Sequence, residues 1–381
     1  MMTYEEFQTL CREEVQAAVK ANRRRSPVEV ALDGRVPEAR LVATQVKYLQ
    51  RAMQKLPSYV EAGCILPPRA FEQASSERCA AHKRMQGESV LELTCGLGVD
   101  ALALSRCFRR VVTLECNEVL AAVTRENLRR LGVTNVEVVC ARAEAYVAAC
   151  TERFDWIYAD PDRRSEEGKK LVCLADCSPD VLTLYPRLKE LAPRLCLKNS
   201  PLFDVEEALR LFPKSRVEVV SLDGECKEVL IYDDGAGPSV TATALGVGSY
   251  TVSDTEQPPL PEVFRATAYR WLVIPDVALQ KSRLVRHHLA RKADCWSENG
   301  YGFAVEEPHE VLGRCYEIDC IEPFDPKGLK RALKGLRGEV LKRDFPLSVE
   351  ELRRKLALKA GDEVRLAFTK IGAEYWTIRL K

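Results

Sequence analysis

Five short apolar runs, each followed by a helix-like stretch, dominate the middle of the chain: SVLELT (89–94), VVTLEC (111–116), NVEVVC (135–140), FDWIYA (154–159) and RLCLKN (194–199). The stretches between and after them, roughly 99–108, 118–131, 143–151, 179–191 and 204–211, carry helical patterning. Regular strand–helix alternation with short connections predicts a parallel, doubly wound α/β sheet. Two further alternating runs, SRVEVVSL and ECKEVLIYD, are separated by Asp223-Gly224, a strong hairpin signal. The sheet is therefore expected to end in an antiparallel hairpin, which a plain dinucleotide-binding fold does not require.

The flanks differ in texture. Residues 1–84 read as helical, with Thr3 and Glu6 spaced as a capping box, a second helix over 37–56 and a third over about 69–85. Gly235, Gly237 and the Pro-rich stretch 256–261 mark linkers. Beyond them lies a smaller α+β pattern: a basic helix around RALKGLRG, a second helix in DFPLSVEELRRKLAL, and a closing hairpin from EVRLAFTKIG and EYWTIRLK. The expected division is 1–84 helical, 85–255 sheet domain, 262–321 a small segment and 322–381 a basic terminal domain.

The chain has 381 residues, 46% hydrophobic and 30% charged, with net charge +1. That balance is globular, no apolar run approaches a bilayer span, and the acidic N-terminus is unlike a signal peptide, so a cytoplasmic protein with no membrane contact is expected. The charge is uneven: residues 327–381 hold 15 Lys and Arg against 7 Asp and Glu, while the rest holds 42 against 49. A basic terminal module suggests an anionic partner. The 15 cysteines include no C-x-x-C pair, and Cys173 and Cys177, four apart, and Cys315 and Cys320, five apart, have no nearby histidine, so the cysteines read as small buried hydrophobes and no metal site is expected.

Chemistry concentrates at the strand ends. Gly96 and Gly98 lie between the first strand and its helix, where a backbone can approach a ligand and free N–H groups face it. The G-x-G-x-x-A spacing alone would admit a nicotinamide or flavin. Glu92, four residues earlier, argues otherwise: a nicotinamide needs no carboxylate there, whereas an ammonium or sulfonium would use one. Glu115, ending the second strand, suits a ribose diol.

This order of motifs resembles class I S-adenosylmethionine-dependent methyltransferases over about 85–250. The resemblance implies S-adenosylmethionine as cofactor. Glu92, Gly96, Gly98 and Asp100 would surround its methionine part, Glu115 would hold the ribose, Cys116 would lie against adenine, Ala143 and Glu144 would line the adenine edge, and Asp160 would also border the cofactor. Thr94 stands where these enzymes usually have their first glycine, and Arg142 where an acid near adenine is common. Ser75, Ser76 and Gln73, just before the sheet, would be polar neighbours of the cofactor, or their stretch is a helix packed on the sheet.

The fourth strand stops at Asp160-Pro161-Asp162-Arg163-Arg164, where the resemblance places the methyl acceptor. Asp160, Arg163 and Arg164 are the expected catalytic set: Asp160 orients the acceptor, and the arginines grip a phosphate or carboxylate or stack on a base. D-P-x-R also resembles RNA uracil-C5 methyltransferases, but those need a cysteine after the fifth strand, where this chain has Lys198-Asn199-Ser200. Over its whole length the chain is similar to bacterial methyltransferase-like proteins with a ferredoxin-like segment and a C-terminal THUMP-like domain. THUMP domains bind RNA, so the expectation is an RNA methyltransferase. A small-molecule or protein methyltransferase, or a cofactor-sensing RNA-binding protein without turnover, are the rivals; a nicotinamide oxidoreductase is disfavoured. The acceptor atom, RNA species and oligomeric state are left open.

Overall fold

The computed structural model describes residues 2–162, 174, 177–253 and 256–381. They divide into two compact units, Met1–Ser215 with Leu230–Gly237, and Arg216–Val229 with Pro238–Lys381.

The first unit opens with seven helices: α1 (Tyr4–Cys11), α2 (Glu13–Asn22), α3 (Pro27–Leu32), α4 (Ala39–Lys55), α5 (Pro57–Glu61), α6 (Pro68–Gln73) and α7 (Glu77–His82). Thr3 and Glu6 form the expected capping box on α1. The single helix expected over 69–85 is instead two, because Ser76 accepts the Cys79 N–H and starts α7 afresh. Alternation then begins: β1 (Gly87–Glu92), α8 (Val99–Leu104), β2 (Phe108–Glu115), α9 (Glu118–Arg130), β3 (Val136–Cys140), α10 (Ala143–Ala149), β4 (Trp156–Ala159), α11 (Val181–Leu191), β5 (Arg194–Asn199) and α12 (Val205–Leu211). The five strands run parallel in the order β3-β2-β1-β4-β5, with the later strand β7 (Glu225–Asp233) next. β4 is buried along its whole length, as a central parallel strand must be. The N-terminal helices are not an appendage: Leu10, Val46, Leu49 and Tyr59 share one core with Val123 and Leu128 of α9 and Val138 of β3.

In the second unit the hairpin turns at Asp223 and Gly224, both at positive φ (54° and 80°), joining β6 (Arg216–Leu222) to β7. Two strands not legible in the sequence extend this side, β8 (Ser239–Ala244) parallel to β6 and β9 (Gly248–Val252) antiparallel to β8. A separate eight-stranded sheet follows. Its strands include β10 (Trp271–Pro275), β11 (Asp294–Cys295), β12 (Gly302–Ala304), β13 (Gly313–Pro323), β14 (Arg337–Lys342), β15 (Lys359–Ala360), β16 (Val364–Ile371) and β17 (Glu374–Leu380), with helices α13 (Val277–Lys281), α14 (Val285–Leu289), α15 (Pro326–Ala332) and α16 (Val349–Leu356). β16 and β17 form the expected closing hairpin. β13 pairs with both β10 and β17, so one strand runs across the expected boundary at 321/322. The basic helix expected over RALKGLRG ends early, at Ala332, and Arg337 begins β14. Among the described residues no helix is long and apolar enough to cross a membrane.

Candidate functional site

A cavity of about 1000 Å³ opens at the carboxyl ends of β1, β2 and β4, within the first unit. Strand ends of a doubly wound sheet are where backbone groups are free and connections diverge, so ligands collect there. One wall is the loop after β1. Gly96 (φ +56°) and Gly98 (φ +81°) take the left-handed conformation that lets the chain turn from strand to helix in so few residues. A Cβ added at Gly96 would meet no protein atom within 4 Å, so the backbone there is bare toward the cavity. At Gly98 it would come within 2.6 Å of Thr124 Cγ2. Gly98 is therefore a packing requirement and does not line the cavity.

The loop is clamped from both sides. Thr124 Oγ1 donates to the Gly96 carbonyl at 2.8 Å, and Tyr59 of α5 donates to the Leu97 carbonyl at 3.1 Å. Gly98→Ala should therefore lower stability by about 2 kcal/mol, through strain and displacement of Thr124. Gly96→Ala should cost only about 1 kcal/mol of backbone strain, because no protein atom stands in the way of its Cβ. Urea melts on the two variants separate these outcomes.

Glu115 ends β2 half-buried at the cavity's side. Its Oε2 accepts the Gly96 N–H at 3.0 Å and its Oε1 the Asn117 N–H at 2.8 Å. Burial raises its pKa, opposed by those backbone donors. Each oxygen keeps a lone pair for further donors such as vicinal hydroxyls. Cys116, Ala143 and Glu144 also line the cavity, and Arg142 lies 3.7 Å from Glu144.

Glu92 is placed differently. It is fully buried, does not line the cavity, and accepts from Thr113 at 2.6 Å, while its Oε1 has no partner among the described residues. Burial, and next the Asp100 charge, push its pKa well above the usual carboxylate range. An acid with a raised folded pKa stabilises the fold below about pH 4.3, the unfolded value, and loses that contribution as pH rises toward the folded pKa. Glu92→Gln should thus gain stability at pH 8 relative to pH 5. Denaturant midpoints at the two pH values test this, and an equal change at both would contradict it.

Asp100, in the first turn of α8, does line the cavity. It is the hub of a buried network. Lys83 donates to Oδ1 at 2.6 Å, Ser75 and Tyr158 donate to Oδ2 at 3.1 Å each, and Lys198 Nζ lies 4.0 Å away. Burial works against its ionisation, but Lys83 and then Lys198 outweigh it and hold the pKa at about 2. Lys198 also donates to Asp160, so two lysines and two aspartates alternate in one network, of which the aspartates line the cavity. The Asp160 N–H is in turn fixed by Thr94 Oγ1 at 2.8 Å. The unusual Thr94 thus ties the end of β4 to the loop after β1.

Asp160, Pro161 and Asp162 all reach the cavity, and Asp162 pairs through its backbone with Ser178. Arg163 and Arg164 lie outside the described residues. Ser75 and Gln73 line the opposite, helical wall, whereas Ser76 is used as the α7 cap. Lys83, Tyr158 and Lys198 carry no motif signature. Only their recurrence at strand ends and at the helix–strand junction could have flagged them. No cluster of three metal-ligating side chains occurs among the described residues.

A family model for a methyltransferase domain matches residues 90–164, and one described as THUMP domain-like matches 313–381. An uncharacterized S-adenosylmethionine-dependent methyltransferase of Mycobacterium tuberculosis (strain H37Rv) is 28% identical over 310 residues, covering 80% of this chain and 84% of the relative. A tRNA/tmRNA (uracil-C(5))-methyltransferase of Neisseria meningitidis (Z2491) is 29% identical over 171 residues, 38% of this chain and 46% of the relative. A crystal structure of a candidate methyltransferase from Porphyromonas gingivalis W83 shares the fold with TM-score 0.84 at 24% identity, covering 96% of this chain and 97% of that one.

Proposed function

We propose that this chain, an S-adenosylmethionine-dependent methyltransferase with a THUMP-like C-terminal domain, methylates RNA. The observation that carries the reading is the cavity at the strand ends, with bare backbone at Gly96 and the Glu115 carboxylate at its side. The residues fit the cofactor: Gly96 leaves room for it, Glu115 has acceptor capacity for a ribose diol, and Cys116, Ala143 and Glu144 form the edge where adenine would lie. When bound, S-adenosylmethionine supplies a methyl group already activated on a sulfonium. The chain's own task is alignment. Thr94 and Lys198 hold Asp160 in one orientation beside the acceptor, where its carboxylate accepts a hydrogen bond from an N–H or O–H.

RNA is supported by the THUMP-like match, the basic charge of residues 327–381 and the RNA-modifying relatives. Covalent attack on a pyrimidine ring is disfavoured. It requires a thiolate, and the described cysteines lining the cavity, Cys95 and Cys116, both have pKa values raised chiefly by burial. Asn199 and Ser200 follow at the end of β5, and Cys173 lies outside the described residues. Direct transfer to a nitrogen or oxygen is the chemistry this site suits.

Titration calorimetry tests the cofactor reading. S-Adenosylmethionine and S-adenosylhomocysteine should bind and NAD should not. Glu115→Ala should weaken both by roughly 10- to 100-fold, about 1.4–2.8 kcal/mol. Binding of NAD alone would overturn the assignment, and unchanged affinity in Glu115→Ala would remove the ribose role. Transfer of labelled methyl from S-adenosylmethionine to total bacterial RNA tests the substrate.

A further inference from the structure

We propose that the outer face of α4 is a track for the RNA phosphate backbone, leading it to the cavity mouth. The proposal rests on the RNA reading above and extends it to a surface outside the THUMP-like domain. α4 turns Val42, Val46, Leu49 and Ala52 into the core. On the opposite face Arg40, Lys47, Arg51 and Lys55 fall at helical spacings of 7, 4 and 4 residues, a stripe about 22 Å long at 1.5 Å per residue. No acid occurs between Ala39 and Lys55. Solvated helix faces ordinarily mix both signs, whereas an unmixed stripe makes a field that draws a polyanion.

Two of the cationic heads rest on aromatic rings. The Arg51 guanidinium is 5.3 Å from the Tyr48 ring centre and 5.6 Å from Phe71, and Lys55 is 4.8 Å from Phe71. Arg51 also pairs with exposed Glu72 at 2.5 Å. An exposed pair of this kind is worth little, and a phosphate can compete for the same guanidinium. The stripe does not stop short of the site, since Leu41, Thr44 and Gln45 of the same helix line the cavity, as does exposed Arg69 at the start of α6. A regularly charged chain lying along α4 therefore arrives at the opening where the acceptor must enter.

The test compares the full-length protein with Arg40→Gln/Lys47→Gln/Arg51→Gln for binding unfractionated bacterial tRNA across a salt series. Calorimetry with S-adenosylmethionine serves as the check that the variant is folded. The expected result is a slope of log K against log salt shallower by about 2 to 3, with unchanged cofactor affinity. The charge-preserving Arg40→Lys/Arg51→Lys should keep the wild-type slope; if it falls as far as the glutamine variant, packing and not charge is responsible and the proposal fails. Identical slopes for wild type and the glutamine variant would overturn the α4 track while leaving the RNA reading standing. Absence of tRNA binding by the wild type even at low salt would instead bring down the RNA reading, and the track with it.

Discussion

Asp160→Asn is expected to lower kcat for methyl transfer to RNA by about 10²- to 10³-fold, while affinity for S-adenosylmethionine changes less than about threefold. The reason is the way the side chain is held. Its backbone N–H is fixed by Thr94 and its carboxylate by Lys198, so it stands as a preset acceptor at the end of β4. In an in-line displacement the protein contributes mainly by fixing the angle of approach, and a misdirected hydrogen bond forfeits much of that gain. Asparagine keeps the shape but loses the charge that Lys198 grips. Turnover close to wild type would remove Asp160 from the reaction. An equal loss of cofactor affinity would make it a cofactor ligand only.

The second large effect concerns stability. Asp100→Asn should destabilise the first unit by about 3–5 kcal/mol, because a neutral amide no longer supplies the buried charge that Lys83 grips at 2.6 Å and that faces Lys198 at 4.0 Å. For a unit of this size that is a fall in Tm on the order of 10 °C. The pH dependence gives an independent mark. With a folded pKa of about 2 against an ordinary 3.8, the carboxylate's contribution is complete above about pH 4 and is lost as pH falls toward 2. Wild type should therefore lose stability over pH 4 to 2 more steeply than the variant. Parallel acid limbs would show that the network contributes nothing. Lys83→Met/Asp100→Leu should recover part of the loss, since the two buried charges of the closest pair are removed together.

Much of the sheet was legible because a parallel strand is punctuated by its own chemistry. The apolar runs that became β1 to β5, the glycine loop, and Asp223-Gly224 are local signals, and each is answered by geometry close to its own sequence. β8 and β9 were missed because Ser239–Ala244 alternates small residues with threonines and has no flanking helix to frame it. Glu92 shows the limit of motif reading. Its position relative to Gly96 was legible, but whether a carboxyl at the end of β1 faces a ligand or the interior depends on the pleat and on Thr113 of the neighbouring strand. Lys83, Tyr158 and Lys198 converge on Asp100 from 17, 58 and 98 residues away in sequence, and no local window holds that information.

The shared core of the N-terminal helices and the sheet sets a limit for engineering. A fragment begun near residue 85 would retain every motif of the glycine loop and still lose Tyr59, which holds that loop, and the α4 and α6 wall of the cavity. It would also break up the apolar core that Leu10, Val46, Leu49 and Tyr59 share with α9 and β3. The smallest transplantable catalytic module is accordingly the helices together with the sheet, and a fusion partner is best joined outside that block.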